Sequence, residues 1–119
     1  MKYNDPRNRA IIGGCRYCGK TTELIKMAAR HKRLIVCATP IRAKVLSHQA
    51  QYMGLLIEPP LDITTLKRKP ELLQGREVSI LIDDVEDVLE VLLGKPVCVM
   101  STSANLEPMK CLQEEAKET

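Results

Sequence analysis

The sequence contains no phenylalanine and no tryptophan, and only three tyrosines. Proteins that grip single strands of nucleic acid by stacking need aromatic platforms, so that mode has little to work with. The core must instead be built from Leu, Ile, Val, Met and Ala. Histidine is almost absent too. His31 and His48 are the whole supply, and neither has a metal-ligand spacing to any cysteine pair. No apolar run reaches the ~18 residues that a membrane span requires. No secretory leader is expected, because Lys2, Asp5, Arg7 and Arg9 crowd the start. These absences predict no membrane association and a cytoplasmic setting, the host cytoplasm if the source is viral.

What is present is a chain of 119 residues, 45% hydrophobic, enough for one domain and one modest core. The net charge of +3 conceals an asymmetry. Residues 1–50 carry eleven Lys or Arg against two acids, whereas residues 51–119 carry seven against thirteen. A basic half is suited to phosphates, and a mixed solvated surface is the alternative. Five cysteines lie at Cys15, Cys18, Cys37, Cys98 and Cys111. Cys37 and Cys98 fall in apolar runs and are expected to be buried.

Apolar runs alternate with amphipathic stretches. Strands are expected at residues 9–13, 33–38, 55–58, 62–66, 77–82 and 96–100. Helices are expected at 21–32, 41–53 and 85–93, with Gly54 and Gly94 closing the last two. Residues 67–75 read as a basic loop or turn, and the tail from Leu106 as a short polar helix. Residues 1–8 and 106–119 are expected to be peripheral. Strands that are continuously apolar, alternating with helices, predict an α/β fold: a parallel sheet with helices on both faces, as one domain over 1–119.

One motif stands out. Gly14-Cys15-Arg16-Tyr17-Cys18-Gly19-Lys20-Thr21 satisfies G-x-x-x-x-G-K-[ST] in full. The glycines let backbone N–H groups turn inward on phosphate oxygens. Lys20 reaches the outer phosphates, the Thr21 hydroxyl can ligate magnesium, and the helix starting here points its positive end at the anion. Thr22 extends the binding set. A strand before the loop and a helix after it supply the required context.

A second element is Ile80-Leu81-Ile82-Asp83-Asp84. Acids at the carboxyl end of a buried parallel strand lie where ligands bind in open α/β sheets. Asp83 is the candidate magnesium partner and Asp84 the candidate catalytic acid; either could instead cap the helix that follows. A third is Ser101-Thr102, where a hydroxyl could sense the terminal phosphate or be only a turn. Cys15 and Cys18 form C-x-x-C, but zinc needs more ligands. They read as variable positions of the loop, where a disulfide would block binding. Lys67-Arg68-Lys69 and Arg42 with Lys44 are candidates for contact with a nucleic-acid backbone, or simply solvated faces.

With these residues in place, the chain resembles the P-loop NTPases with a RecA-like core over roughly residues 9–105. Gly14 to Thr21 is similar to Walker A, and Ile80 to Asp84 to Walker B. Leu34-Ile-Val-Cys-Ala-Thr-Pro40 and Val99-Met-Ser-Thr-Ser-Ala104 resemble segments of the first motor domain of helicases and viral DNA-packaging ATPases. The resemblance implies a three-layer fold, ATP and Mg2+ as ligands, and a minimal ATPase serving nucleic acids, with a virus or mobile element as the suggested source. It implies catalytic roles for Lys20, Asp84 and Thr102. The family's usual Asp-Glu is Asp83-Asp84 here, one methylene shorter, with Glu86 as a possible substitute. The family's second motor domain, with its arginine finger, is more than residues 106–119 could hold, so an arginine from a second copy or a partner subunit is expected. A non-hydrolysing switch or assembly module is the alternative. Gly19-Lys-Thr-Thr-Glu-Leu-Ile25 also resembles the thymidine kinase P-loop segment, but a zinc-binding lasso is missing. The guanine-reading N-K-x-D of GTPases is absent as well, which leaves ATP preferred.

Overall fold

The computed structural model describes residues 9–13 and 19–108. The chain runs β1 (Ala10–Gly13), α1 (Lys20–His31), β2 (Leu34–Cys37), α2 (Pro40–Tyr52), β3 (Leu61–Asp62), α3 (Ile63–Arg68), a single 3-10 turn at Pro70–Leu72, β4 (Ile80–Ile82), α4 (Val85–Leu93) and β5 (Asn105–Pro108). Every strand pairing is parallel. The molecule is therefore a small α/β domain. Among the described residues no helix is long and apolar enough to cross a membrane.

The strands form two groups. One is a three-stranded sheet in the order β3-β2-β4, with Leu34, Ile35 and Val36 opposite Ile80, Leu81 and Ile82. The other pairs β1 with β5, Ala10 facing Asn105. β2 is the centre of the fold. All four of its residues are buried, and successive strand residues face opposite sides, so the sheet is covered on both faces there. Ile35 and Cys37 join Ile25 and Ala28 of α1 and Leu46 and Ala50 of α2 in one cluster. Ile35 is 0% exposed; burying such a side chain stabilises by about 1.5–3 kcal/mol.

Local chemistry explains the helix boundaries. Thr39 caps α2, its hydroxyl accepting from the Arg42 N–H at 3.2 Å, and Pro40 opens the first turn. Gly94 ends α4 in the left-handed region at φ 72, with its N–H on the Glu90 carbonyl. α1 buries Ile25, Met27 and Ala28.

Several expected elements differ. The strand expected at 62–66 is only the end of a bridge. Asp62 turns the chain into α3 because its carboxylate accepts from the Thr65 N–H and the Thr65 hydroxyl, both at 2.8 Å. Residues 55–58 form no strand. The Leu55 N–H closes back on the Ala50 carbonyl, and Pro59-Pro60 offer no donors. Pro96–Met100 is also unpaired: Pro96 has no N–H, and the Val97 N–H donates to the Glu90 carboxylate at 3.3 Å. Val99 is consequently 84% exposed, and Cys98 is exposed instead of buried. Residues 106–108, expected as the start of a helix, instead belong to strand β5. The strand expected at 77–82 narrows to 80–82.

Candidate functional site

The turns that follow β2 and β4 meet at the first turn of α1, through Arg42 and Asp83 on Thr21. Gly13 ends β1, and a Cβ there would press on the Leu106 side chain at 3.3 Å. Gly19 precedes α1 with φ 86, a conformation that glycine adopts without steric cost. The glycine required at this point of the phosphate-loop pattern thus has a backbone reason. Lys20 is the first helical residue and Thr21 the second. Gly14, Cys15, Arg16, Tyr17 and Cys18 lie outside the described residues.

Thr21 and Asp83, 62 positions apart, are brought into contact. The Thr21 hydroxyl donates to Asp83 Oδ1 at 3.3 Å. Asp83 sits where β4 ends, its N–H donating to the Val36 carbonyl at 3.0 Å. Its side chain is 3% exposed. A carboxylate removed from water to this degree needs a charged or hydrogen-bonding partner. Arg42 supplies it. The Arg42 Nε donates to Asp83 Oδ2 at 2.7 Å, and Nη2 donates to Asp83 Oδ1 at 3.3 Å and to Thr21 Oγ1 at 2.9 Å. One guanidinium therefore bridges a carboxylate and a hydroxyl, a forked geometry that lysine cannot reproduce. The pairing with Asp83 holds the Arg42 guanidinium above its ordinary pKa, and partial burial opposes this.

Arg42 reaches this point because β2 and β4 are parallel neighbours, so the turns that follow them lie side by side. In sequence Arg42 stands with Lys44 among the candidates for nucleic-acid contact. Its guanidinium reaches Asp83 and Thr21. The available signal was the Thr39-Pro40 cap, which fixes Arg42 in the first turn after β2.

Asp84 follows with φ 55 and ψ 77, left-handed backbone that non-glycine residues adopt rarely. Its position is that of the α4 cap, yet its side chain makes no capping hydrogen bond. Strain of this kind concentrates at functional positions. The Asp84 carboxyl is pushed up from its ordinary value, first by burial and then by repulsion from Asp83, Asp87 and Glu86, with Arg42 pulling the other way. Asp84 lines a cleft of about 380 Å³ together with Ala38, Thr39, Arg42, Asp83 and Asp87. A desolvated, electron-rich carboxylate beside a cleft is suited to accepting a proton from water.

Other predicted residues are placed differently. Thr22 is bound to α2 through Gln49, whose amide donates to its hydroxyl at 3.0 Å. The Thr102 hydroxyl accepts from the Ala104 N–H at 2.9 Å within an exposed bend, and Thr102 is not among the residues lining the cleft. Lys67 and Arg68 end α3, and they and Lys69 are exposed.

The donor set fits magnesium. Thr21 and Asp83 offer hard oxygens, the type Mg2+ prefers, and a cationic group already bridges them. Mg2+ is commonly held by one or two carboxylates together with phosphates, so the lack of any three-residue His, Cys, Asp or Glu cluster among the described residues is compatible with that chemistry. No family model, no curated protein and no solved structure matches this chain.

Proposed function

We propose that this chain binds ATP with magnesium and cleaves its terminal phosphate, as a minimal RecA-like P-loop ATPase working with nucleic acids. The observation that carries the reading is the contact between Thr21, directly after Gly19-Lys20, and Asp83 at the end of an apolar parallel strand. A phosphate-loop threonine and an acid from a second strand are the two protein groups that hold the metal in such sites. The preference for ATP over GTP rests on the absence of N-K-x-D alone.

In this reading backbone N–H groups of residues 14–19 cradle the phosphate chain and Lys20 reaches the outer phosphates. Thr21 and Asp83 hold the magnesium, which when bound neutralises charge on the phosphate oxygens. Asp84 orients the attacking water and accepts its proton, which requires in-line placement against the terminal phosphate. An arginine from a second copy or partner completes the charge stabilisation. The finer fold belongs to the same proposal. It is a parallel sheet with helices on both faces, in three layers.

Binding of a fluorescent ATP analogue, followed by phosphate release with and without DNA or RNA, tests this directly. Lys20→Ala should weaken binding at least tenfold, and Asp84→Asn should abolish release while sparing binding. An analogue that binds wild type and Lys20→Ala equally would sink the reading. A second reading is a nucleotide-bound switch that does not hydrolyse. It is favoured by the short Asp84 side chain. Tight binding with no phosphate release under any condition would select it. Phosphate transfer to a nucleoside would instead select a kinase.

A further inference from the structure

We propose that Arg42 is a built-in substitute for the metal: its guanidinium holds the seat between Thr21 and Asp83 until magnesium enters, so that metal binding and release of Arg42 are one event. This rests on the nucleotide reading above and adds a regulatory device to the same site. It is carried by geometry. Three of the Arg42 hydrogen bonds end on the two side chains that are the metal-ligand candidates. Both Asp83 oxygens and the Thr21 oxygen are engaged. A dication at these oxygens would face a guanidinium at hydrogen-bond distance, which is repulsive at short range.

The arrangement has a structural rationale. Asp83 is buried, and a buried carboxylate without a cation is strongly unfavourable. Arg42 supplies the cation when no metal is present. Its side chain is 34% exposed, so it has a route to solvent that Asp83 lacks. Arg42 is also anchored at the start of α2, where its own N–H is bound to Thr39. Movement of its side chain is therefore felt at the cleft shared by Thr39, Arg42 and Asp84. The coupling makes the site demand two things at once: a metal strong enough to displace a charge-assisted pair, and an anion able to accept the released guanidinium. A nucleotide phosphate chain with magnesium meets both demands, and free magnesium meets only one.

The test compares wild type, Arg42→Ala and Arg42→Lys. Mn2+ serves as the metal probe, read by the loss of its free paramagnetic resonance signal. It is titrated alone and with a non-hydrolysable ATP analogue. With the competing charge-assisted contacts removed, Arg42→Ala should bind Mn2+ alone about tenfold or more tighter than wild type. Arg42→Lys, which keeps the charge but loses the fork, should fall between them. In EDTA, Arg42→Ala should melt earlier than wild type, and Mg2+ should restore it. On wild type itself, the Arg42 Nε–H resonance should move when Mg2+ is added with the analogue and stay in place with the analogue in EDTA.

Equal or weaker Mn2+ binding by Arg42→Ala, or an Arg42 resonance that does not respond to metal with analogue, would overturn the latch while leaving nucleotide binding intact. If the variant does not fold without metal, the resonance experiment decides alone. Absence of analogue binding by wild type would be a different failure, because it removes the nucleotide reading and the latch together.

Discussion

Arg42 Nε and Asp83 Oδ2 lie 2.7 Å apart, the only ion pair to the buried Asp83 among the described residues. The contact joins two turns that follow neighbouring parallel strands. It converts an acid that would be costly to bury into one that is satisfied, and it keeps that acid beside Thr21 at the start of α1.

The metal dependence of nucleotide binding should therefore pass through Asp83. Asp83→Asn keeps the shape and removes the charge. Affinity for an ATP analogue should fall about tenfold in Mg2+, the loss expected for one charge-assisted contact, and change little in EDTA. Fluorescence polarisation under the two conditions checks it. An equal loss in both would mean that Asp83 acts on the fold and not on the metal.

Asp84 gives a pH prediction. Its carboxyl is raised in the folded chain, chiefly by burial, so the folded state binds this proton more tightly than the unfolded state. The ionised group then opposes folding, and that penalty is relieved as pH falls. Asp84→Asn, which tolerates left-handed backbone, should raise Tm at neutral pH. The gain should vanish as pH drops below the ordinary value of 3.8. Calorimetry across pH measures both limbs. A constant gain at every pH would assign the effect to backbone conformation.

Asp62 should prove to be a structural residue. Its carboxylate takes two hydrogen bonds from Thr65 and starts α3. Asp62→Ala should cost about 1–2 kcal/mol of stability in a urea titration and leave the affinity for nucleotide unchanged. A selective loss of affinity would place Asp62 in the site.

The cysteines should separate by reactivity. Cys37 is buried, and desolvation pushes its thiol up to about 11, with Asp83 and Asp62 adding to the shift. Cys98 is exposed. The thiolate is the reactive form, so at pH 8 iodoacetamide should modify Cys98 and spare Cys37. Peptide mass mapping over time distinguishes them. Ile35→Ala, which opens a hole beside Cys37 in the central cluster, should cost about 2–5 kcal/mol and raise the Cys37 rate.

The sequence alone determined the α/β class and the helices α1, α2 and α4, but not α3. These are local signals: apolar spacing on α1, Thr39-Pro40 opening α2, and Gly94 closing α4. It also marked Thr21 and Asp83, because a glycine pattern and an acid ending an apolar run are both visible in linear order. It could not determine which apolar runs become strands. Residues 55–58 and 96–100 are apolar enough, but a parallel strand exists only through neighbours that complete its hydrogen bonds. The Leu55 and Val97 N–H groups are taken by Ala50 and Glu90. Nor could it find the role of Arg42. In sequence Arg42 is one of many basic residues. Only the parallel pairing of β2 with β4 brings its helix start beside Asp83, and only the burial of Asp83 makes that encounter a firm one.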